Sequence, residues 1–301
     1  MLDYLRKNLP PPVTRMLKDI IRAISATSLY SWIKEANRVA RRKRFAMGYY
    51  SDTLDRISKW APKNTENDNF YYDLSDLNKL HLAHQIAALT GAPPQKLRSL
   101  FQELLDDTAL RSHLENGVKS LTNFRDIEIA YGRRLGWYAL ARLLRPRTIV
   151  ETGVHQGVGS CVLCAALIRN AAEGYEGRYF GTDINPNAGI LFVAPYTSVG
   201  EILYGDSIQS LIAFERPIDL FINDSDHSAE YEYREYLTIQ DKLSKNGAIL
   251  GDNSHASASL PRFCAETRRP FIFFREQPKD HWYPGAGIGI SIPHACRAAT
   301  D

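Results

Sequence analysis

Five acidic residues in the second half of the chain each follow a short apolar run. Glu151 follows Thr148-Ile149-Val150, Asp183 follows Arg178 to Thr182, and Asp206 follows Glu201 to Gly205. Asp224 follows Ile218 to Asn223, and Asp252 follows Gly247 to Gly251. Runs rich in β-branched and aromatic residues fit strands. In an open parallel sheet, ligands bind beyond the carboxyl ends of the strands. The five carboxylates are therefore expected on one rim, and an acid there suits a cationic or amine-bearing ligand. After Glu151 the chain reads Thr152-Gly153-Val154-His155-Gln156-Gly157-Val158-Gly159-Ser160. Gly153 and Gly157 let the backbone turn sharply and admit a ligand closely. The apolar run Cys161 to Ile168 then opens a helix whose free N–H groups face that ligand. The glycine spacing is not G-x-G-x-x-G, so the dinucleotide fingerprint is not met.

These residues need a sheet to hold them, and the pattern supplies one. Strands are predicted at 148–152, 178–183, 201–207, 218–224, 247–253, 271–274 and 288–292, with helices at 127–144 and 229–243. Strands alternating with helices imply a parallel sheet with both faces covered. Before residue 125 the chain reads as helices and loops alone. Helical apolar spacing with basic faces covers 13–26 and 30–47, and 74–90 is strongly amphipathic, stopped by Gly91-Ala92-Pro93-Pro94. A further short helix covers 95–107. The expected division is a helical cap, lid or dimerisation region over 1–125 and an α/β domain over 126–301.

The chain has 301 residues, 44% of them apolar and 24% charged, as in an ordinary globular protein. The net charge of +3 is too small to point to a nucleic-acid binder. It is unevenly placed: residues 1–50 carry eleven Lys and Arg against Asp3, Asp19 and Glu35, a balance of +8 that leaves −5 for the rest. The cluster Arg38 to Arg44 suits a solvated helix face, an anionic lipid, a phosphate or an acidic partner. Cys161 and Cys164 form a C-x-x-C inside an apolar helix, where both are expected to be core residues. No apolar run approaches the ~20 residues of a membrane span, and no signal peptide is evident, so a cytoplasmic enzyme without stable membrane insertion is expected.

From residue 126 to 292 the sequence resembles the class I S-adenosylmethionine-dependent methyltransferases. Glu151-Thr152-Gly153-Val154 and Asp224-Ser225-Asp226-His227 resemble the macrocin-type O-methyltransferases, and Gly251-Asp252-Asn253 resembles the catechol type. The fold this implies is Rossmann-like and doubly wound, with a mostly parallel seven-stranded sheet. S-adenosylmethionine carries both an ammonium and a sulfonium, which matches an acidic rim. The resemblance implies that Glu151, Gly153, His155, Gly157 and Ser160 surround its methionine end. It implies that Asp183 accepts the ribose hydroxyls and that Asp206 and Ser207 lie beside the adenine, with Asn223 also at the cofactor. Asp224, Asp252 and Asn253 match three ligands for a divalent cation, and hard oxygens suit magnesium. His227, three residues after Asp224, matches the position of the catalytic base, with Asp224 and Asp226 beside it. A neutral imidazole can take a proton from an acceptor hydroxyl.

The implied reaction is an SN2 methyl transfer to a small-molecule acceptor, an oxygen of a natural product. A second reading keeps the cofactor but moves or cyclises its aminocarboxypropyl arm, releasing methylthioadenosine. A third is a non-catalytic S-adenosylmethionine-binding protein recruited through the basic helices. Tyr131, Trp137, Trp282 and Tyr283 are candidates for an aromatic wall around the reacting groups, with core or hinge packing the favoured role of Trp137. His255 and His281 fall near the same rim in sequence order. A homodimer is one use of the leading helices, and no nucleic-acid partner is expected.

Overall fold

The computed structural model describes residues 10–25, 28–62, 72–119, 129–252 and 254–293. The chain divides into two compact units, 1–62 and 63–301. The first holds two helices, α1 (Pro11–Ser25) and α2 (Ser28–Trp60). The spacing predicts that the second of these ends near residue 47, but it runs on to Trp60.

The second unit begins with α3 (Asp76–Thr90), α4 (Pro94–Leu105) and α5 (Thr108–Lys119). Ser75 caps α3 by accepting the Asn78 N–H, and Gly91 ends it in the left-handed region at φ +76°. Pro94 opens α4, where a missing N–H costs nothing. These helices bury Leu82, Ile86, Leu97, Leu100, Phe101 and Leu104 in the same core as the sheet. Each such side chain contributes about 1.5–3 kcal/mol by leaving water. The compact division therefore falls between residues 62 and 63 and not at 125, because the apolar faces of 76–119 have their partners in the α/β layers.

Next come α6 (Arg134–Leu144), β1 (Thr148–Thr152), α7 (Val158–Ala172), β2 (Arg178–Asp183) and β3 (Gly200–Tyr204). They are followed by α8 (Ser207–Ala213), β4 (Ile218–Asn223), α9 (Ala229–Ile239), β5 (Leu243–Asp252), α10 (Ser259–Glu266), β6 (Ile272–Arg275) and β7 (Gly287–Ser291). The predicted helix 127–144 is shorter at its start: 129–133 is not helical, and 120–128 lies outside the described residues. The sheet order is β3-β2-β1-β4-β5-β7-β6. All pairs are parallel except those of β7, which runs antiparallel to β5 and β6.

Strand side chains alternate between two cores. Ile149, Leu220, Ile222, Ala248 and Leu250 face α6 and α7, while Val150, Phe221 and Ile249 face α9 and α10. Cys161 and Cys164 are buried free thiols in the first of these cores. The chain order reverses between β1 and β4, so the crevice of a doubly wound sheet opens above β1. Register sets the tips level there: Thr152 pairs with Thr182 on one side and Asn223 on the other.

Candidate functional site

A cavity of about 660 Å³ lies across the tips of β1 to β5. That is ample for a nucleoside with an amino-acid arm. All five strand-end acids, Glu151, Asp183, Asp206, Asp224 and Asp252, line it. Gly153, His155, Ser207, Asp226 and His227 line it too. No lining residue comes from 72–119, so within the second unit those helices do not roof the site.

The turn after β1 is built for close approach. Gly153 has φ +83°, and a Cβ on it would lie 1.9 Å from the Asp224 carbonyl oxygen. Only glycine fits there. Gly157 caps α7 at φ +94°, behind the cavity wall rather than in it. A Cβ on Gly159 would come within 2.5 Å of the Glu151 carboxylate, so this glycine makes room for the acid.

The acids of β1 to β3 are held by neutral donors. The Ser160 hydroxyl donates to Glu151 at 2.9 Å, and the Tyr179 hydroxyl donates to the same oxygen. Burial pushes Glu151 up to about 7, despite those donors and the nearby charge of Arg134. Asp183 accepts the backbone N–H of His155 at 2.9 Å on one oxygen and that of Asn185 at 2.8 Å on the other. Each of its oxygens keeps a further lone pair. Asp206 caps α8 by accepting the Gln209 N–H at 2.9 Å, and its other oxygen accepts the Tyr231 hydroxyl at 2.9 Å.

Three expected cofactor contacts have other roles. Ser160 is buried and spends its hydroxyl on Glu151. Asn223 is buried and gives its amide to Glu235. Ser207 borders the cavity, but its hydroxyl donates to the same Glu235. Glu235, on α9, is the residue the sequence reading missed. It also accepts the Ser225 hydroxyl at 2.8 Å and the Thr152 hydroxyl at 3.2 Å, so one buried carboxylate ties together the tips of β1 and β4 and the start of α8. Burial pushes it up to about 7.

At β4 and β5 the partners are charged. Asp224, His227 and Asp252 present ligand atoms within 4.8 Å of one another. Asp252 is fully buried, and Arg133 forks onto it: NH2 meets one oxygen at 2.7 Å, and Nε pairs with the other. Arg133 is itself fixed by Glu276, which accepts its backbone N–H at 2.8 Å and lies 3.5 Å from its NH1. Tyr72 donates to Glu276 at 2.8 Å. Burial opposes ionisation of both aspartates. The Arg133 guanidinium nevertheless holds Asp252 below the usual carboxylate range, while burial and its neighbour Asp252 hold Asp224 well above it. His227 Nε2 stands 3.8 Å from the Asp224 carboxyl.

This donor set does not fit a magnesium ion. A hard dication is best served by free carboxylate oxygens, and here both Asp252 oxygens already face the Arg133 guanidinium. The third expected ligand, Asn253, lies outside the described residues. The expected aromatic wall is also absent among the described residues. Tyr131 and Trp137 are fully buried outside the cavity lining. Trp282 stacks on His281, and Tyr283 and His281 pack against Tyr72. His255 is exposed and not part of the lining.

Residues 150–254 match the family Methyltransf_24, described as a methyltransferase domain. Among curated proteins no sequence relative was found. Several solved structures are similar over much of the chain. One is an O-methyltransferase from Bacillus cereus in complex with SAH: 14% identity, 71% of this chain and 97% of that one covered, TM-score 0.44. Another is the O-methyltransferase TomG from Streptomyces achromogenes, involved in tomaymycin synthesis and in complex with SAM: 16% identity, 62% and 90% covered, TM-score 0.46. A third is an SAH-bound methyltransferase from Podospora anserina: 17% identity, 61% and 87% covered, TM-score 0.44. The family match runs from within β1 to just past β5, the stretch that supplies all five strand-end acids, and so this stretch of the chain is similar to a methyltransferase domain on a doubly wound sheet.

Proposed function

We propose that the protein moves a methyl group from S-adenosylmethionine to an oxygen of a small molecule, a natural product, without a divalent cation. The observation that carries this reading is the single cavity into which the five strand-end acids and His227 converge. The donor's sulfonium supplies a carbon already activated for in-line attack. The chain's own part is to bind, align and hold protons.

Glu151 attracts the ammonium of the methionine arm, and the positive φ of Gly153 lets that arm pass close to the backbone. The spare lone pairs of Asp183 suit two vicinal hydroxyls, since a carboxylate offers two acceptors at the right separation. Asp206, with Ser207 and Tyr231 beside it, closes the cavity at the end of β3. At the far end, His227 takes the proton of the acceptor hydroxyl as the oxygen attacks carbon. The Asp224 carboxyl, 3.8 Å from His227 Nε2, sits beside the imidazole and orients it. Asp226 accepts the Ser228 N–H at 2.7 Å and so shapes the loop that presents His227. Arg133 neutralises Asp252, the role a cation has in a metal-dependent site.

The test is incubation with S-adenosylmethionine and a panel of hydroxylated small molecules, with products read by mass spectrometry. S-adenosylhomocysteine and an acceptor heavier by one methylene support the reading, and methylthioadenosine or no turnover with any acceptor contradicts it. Turnover that survives a chelator supports cation independence, and turnover restored only by magnesium overturns that part.

A further inference from the structure

Helices α1 and α2 expose what a folded chain ordinarily hides. On α1, Val13, Met16, Leu17, Ile20 and Ile21 follow the i, i+3, i+4, i+7, i+8 spacing of one helix side, and Arg15, Lys18 and Arg22 take the other. On α2, Trp32, Ile33, Met47, Tyr50 and Leu54 share one side along a helix of 33 residues, about 50 Å. Lys34, Arg38, Arg41 and Arg42 face away from them. These side chains remain in water: Met16 is 59% exposed, Trp32 68% and Met47 67%.

We propose that α1 and α2 adsorb to a lipid surface rich in anionic headgroups, with the apolar sides at the acyl boundary. A strong apolar stripe, low overall hydrophobicity and a cationic polar face are what lying in a membrane interface requires. The balance of +8 over residues 1–50 supplies the attraction to anionic lipid. Trp32 and Tyr50 suit the headgroup boundary, where an aromatic ring with a polar edge is stable. Phe45 and Tyr49 also stand exposed, on the basic side of α2, and no described helix is long and apolar enough to cross a membrane, so the contact is peripheral. A nucleic acid would use the basic face but leave the stripes in water. A second copy would meet Lys43 and the small Ala36 and Ala40 in the middle of the α2 seam, and would bring two +8 segments together.

The experiment is co-sedimentation of the full-length protein with vesicles of phosphatidylcholine alone, or with about a third phosphatidylglycerol. It needs no turnover, so it stands or falls apart from the proposed reaction. Partition onto anionic vesicles is expected to exceed that onto neutral ones by about tenfold or more and to fall as salt is raised. Ile20→Ser with Ile21→Ser, and separately Arg15→Gln with Lys18→Gln, are each expected to lower it about tenfold, with the thermal midpoint of the α/β domain unchanged. Trp emission is expected to shift to the blue with vesicles, and the shift to disappear in Trp32→Phe. Equal partition onto both vesicles, or none, overturns the proposal. So does binding that survives the Ile20/Ile21 substitutions, which would be simple polyanion attraction. Sedimentation showing a dimer that those substitutions dissociate would assign the stripes to a second copy and also overturn it.

Discussion

The two halves of the cavity hold their acids in opposite ways. At the tips of β1 to β3 the partners are hydroxyls and backbone N–H groups: Ser160 and Tyr179 on Glu151, His155 and Asn185 on Asp183, Gln209 and Tyr231 on Asp206. Those acids keep their charge or their capacity for it, and with it an appetite for a ligand bearing an ammonium and hydroxyls. At the tips of β4 and β5 the partner is a guanidinium, and it occupies Asp252 from both sides. A carboxylate already paired with a guanidinium has less to offer a cation. An acid at a strand end is therefore not one kind of residue; its neighbour decides whether it serves a ligand or the protein.

The sharpest way to break this contrast is Arg133→Ala. It leaves Asp252 and Glu276, both buried, without their cation. Loss of one partner from a buried pair costs about 3–5 kcal/mol, read as a lower urea midpoint. If the same variant gains Mn²⁺ binding by calorimetry where the wild type shows none, the guanidinium does occupy the place of a metal. An unchanged midpoint would show the pair to be inconsequential.

Next in size is His227→Ala, expected to lower kcat about 10²–10⁴-fold as a lost general base. Binding of S-adenosylhomocysteine should hold within about twofold, because His227 belongs to the acceptor half. Weakened cofactor binding with unchanged kcat would reverse the assignment of the halves.

Glu235 and Glu151 give a pH signature. Both sit near 7 in the folded protein, above the usual carboxylate range. Between about pH 4.5 and 7 the folded state thus keeps protons that the unfolded chain has released. Stability is greatest below that window and falls as pH rises through it. Each group accounts for on the order of 3 kcal/mol. Glu235→Gln keeps most hydrogen bonds and should flatten the slope of stability against pH between 5 and 8. A slope as steep as that of the wild type would contradict the burial argument.

Much of this contrast was legible in the sequence. Strands β1 to β5 show in the sequence as short apolar runs, each followed by its acid, and that places the rim. What the sequence hid were partners far along the chain. Arg133 lies 119 positions from Asp252, and Tyr72 lies 204 from Glu276. A local pattern carries no trace of such pairing, so the guanidinium beside Asp252 leaves no sign in the sequence. Glu235 left a fainter sign: Glu232, Glu235, Tyr236 and Ile239 share the inward side of α9, and an acid on an apolar helix face must be serving some buried donor. Helices α3 to α5 look independent in the sequence, but their apolar faces pack on one another and join the core of the α/β layers.

The smallest effect expected is that of Asp183→Asn. It keeps one acceptor oxygen but loses the charge, and should weaken cofactor affinity about tenfold. Asp183→Ala removes both oxygens, and on it the central claim turns. Calorimetric titration of S-adenosylhomocysteine into the wild type at pH 8 should give a saturable one-to-one isotherm, and into Asp183→Ala no measurable heat with the fold retained. An absent isotherm in the wild type, or an unchanged one in the variant, would contradict the account.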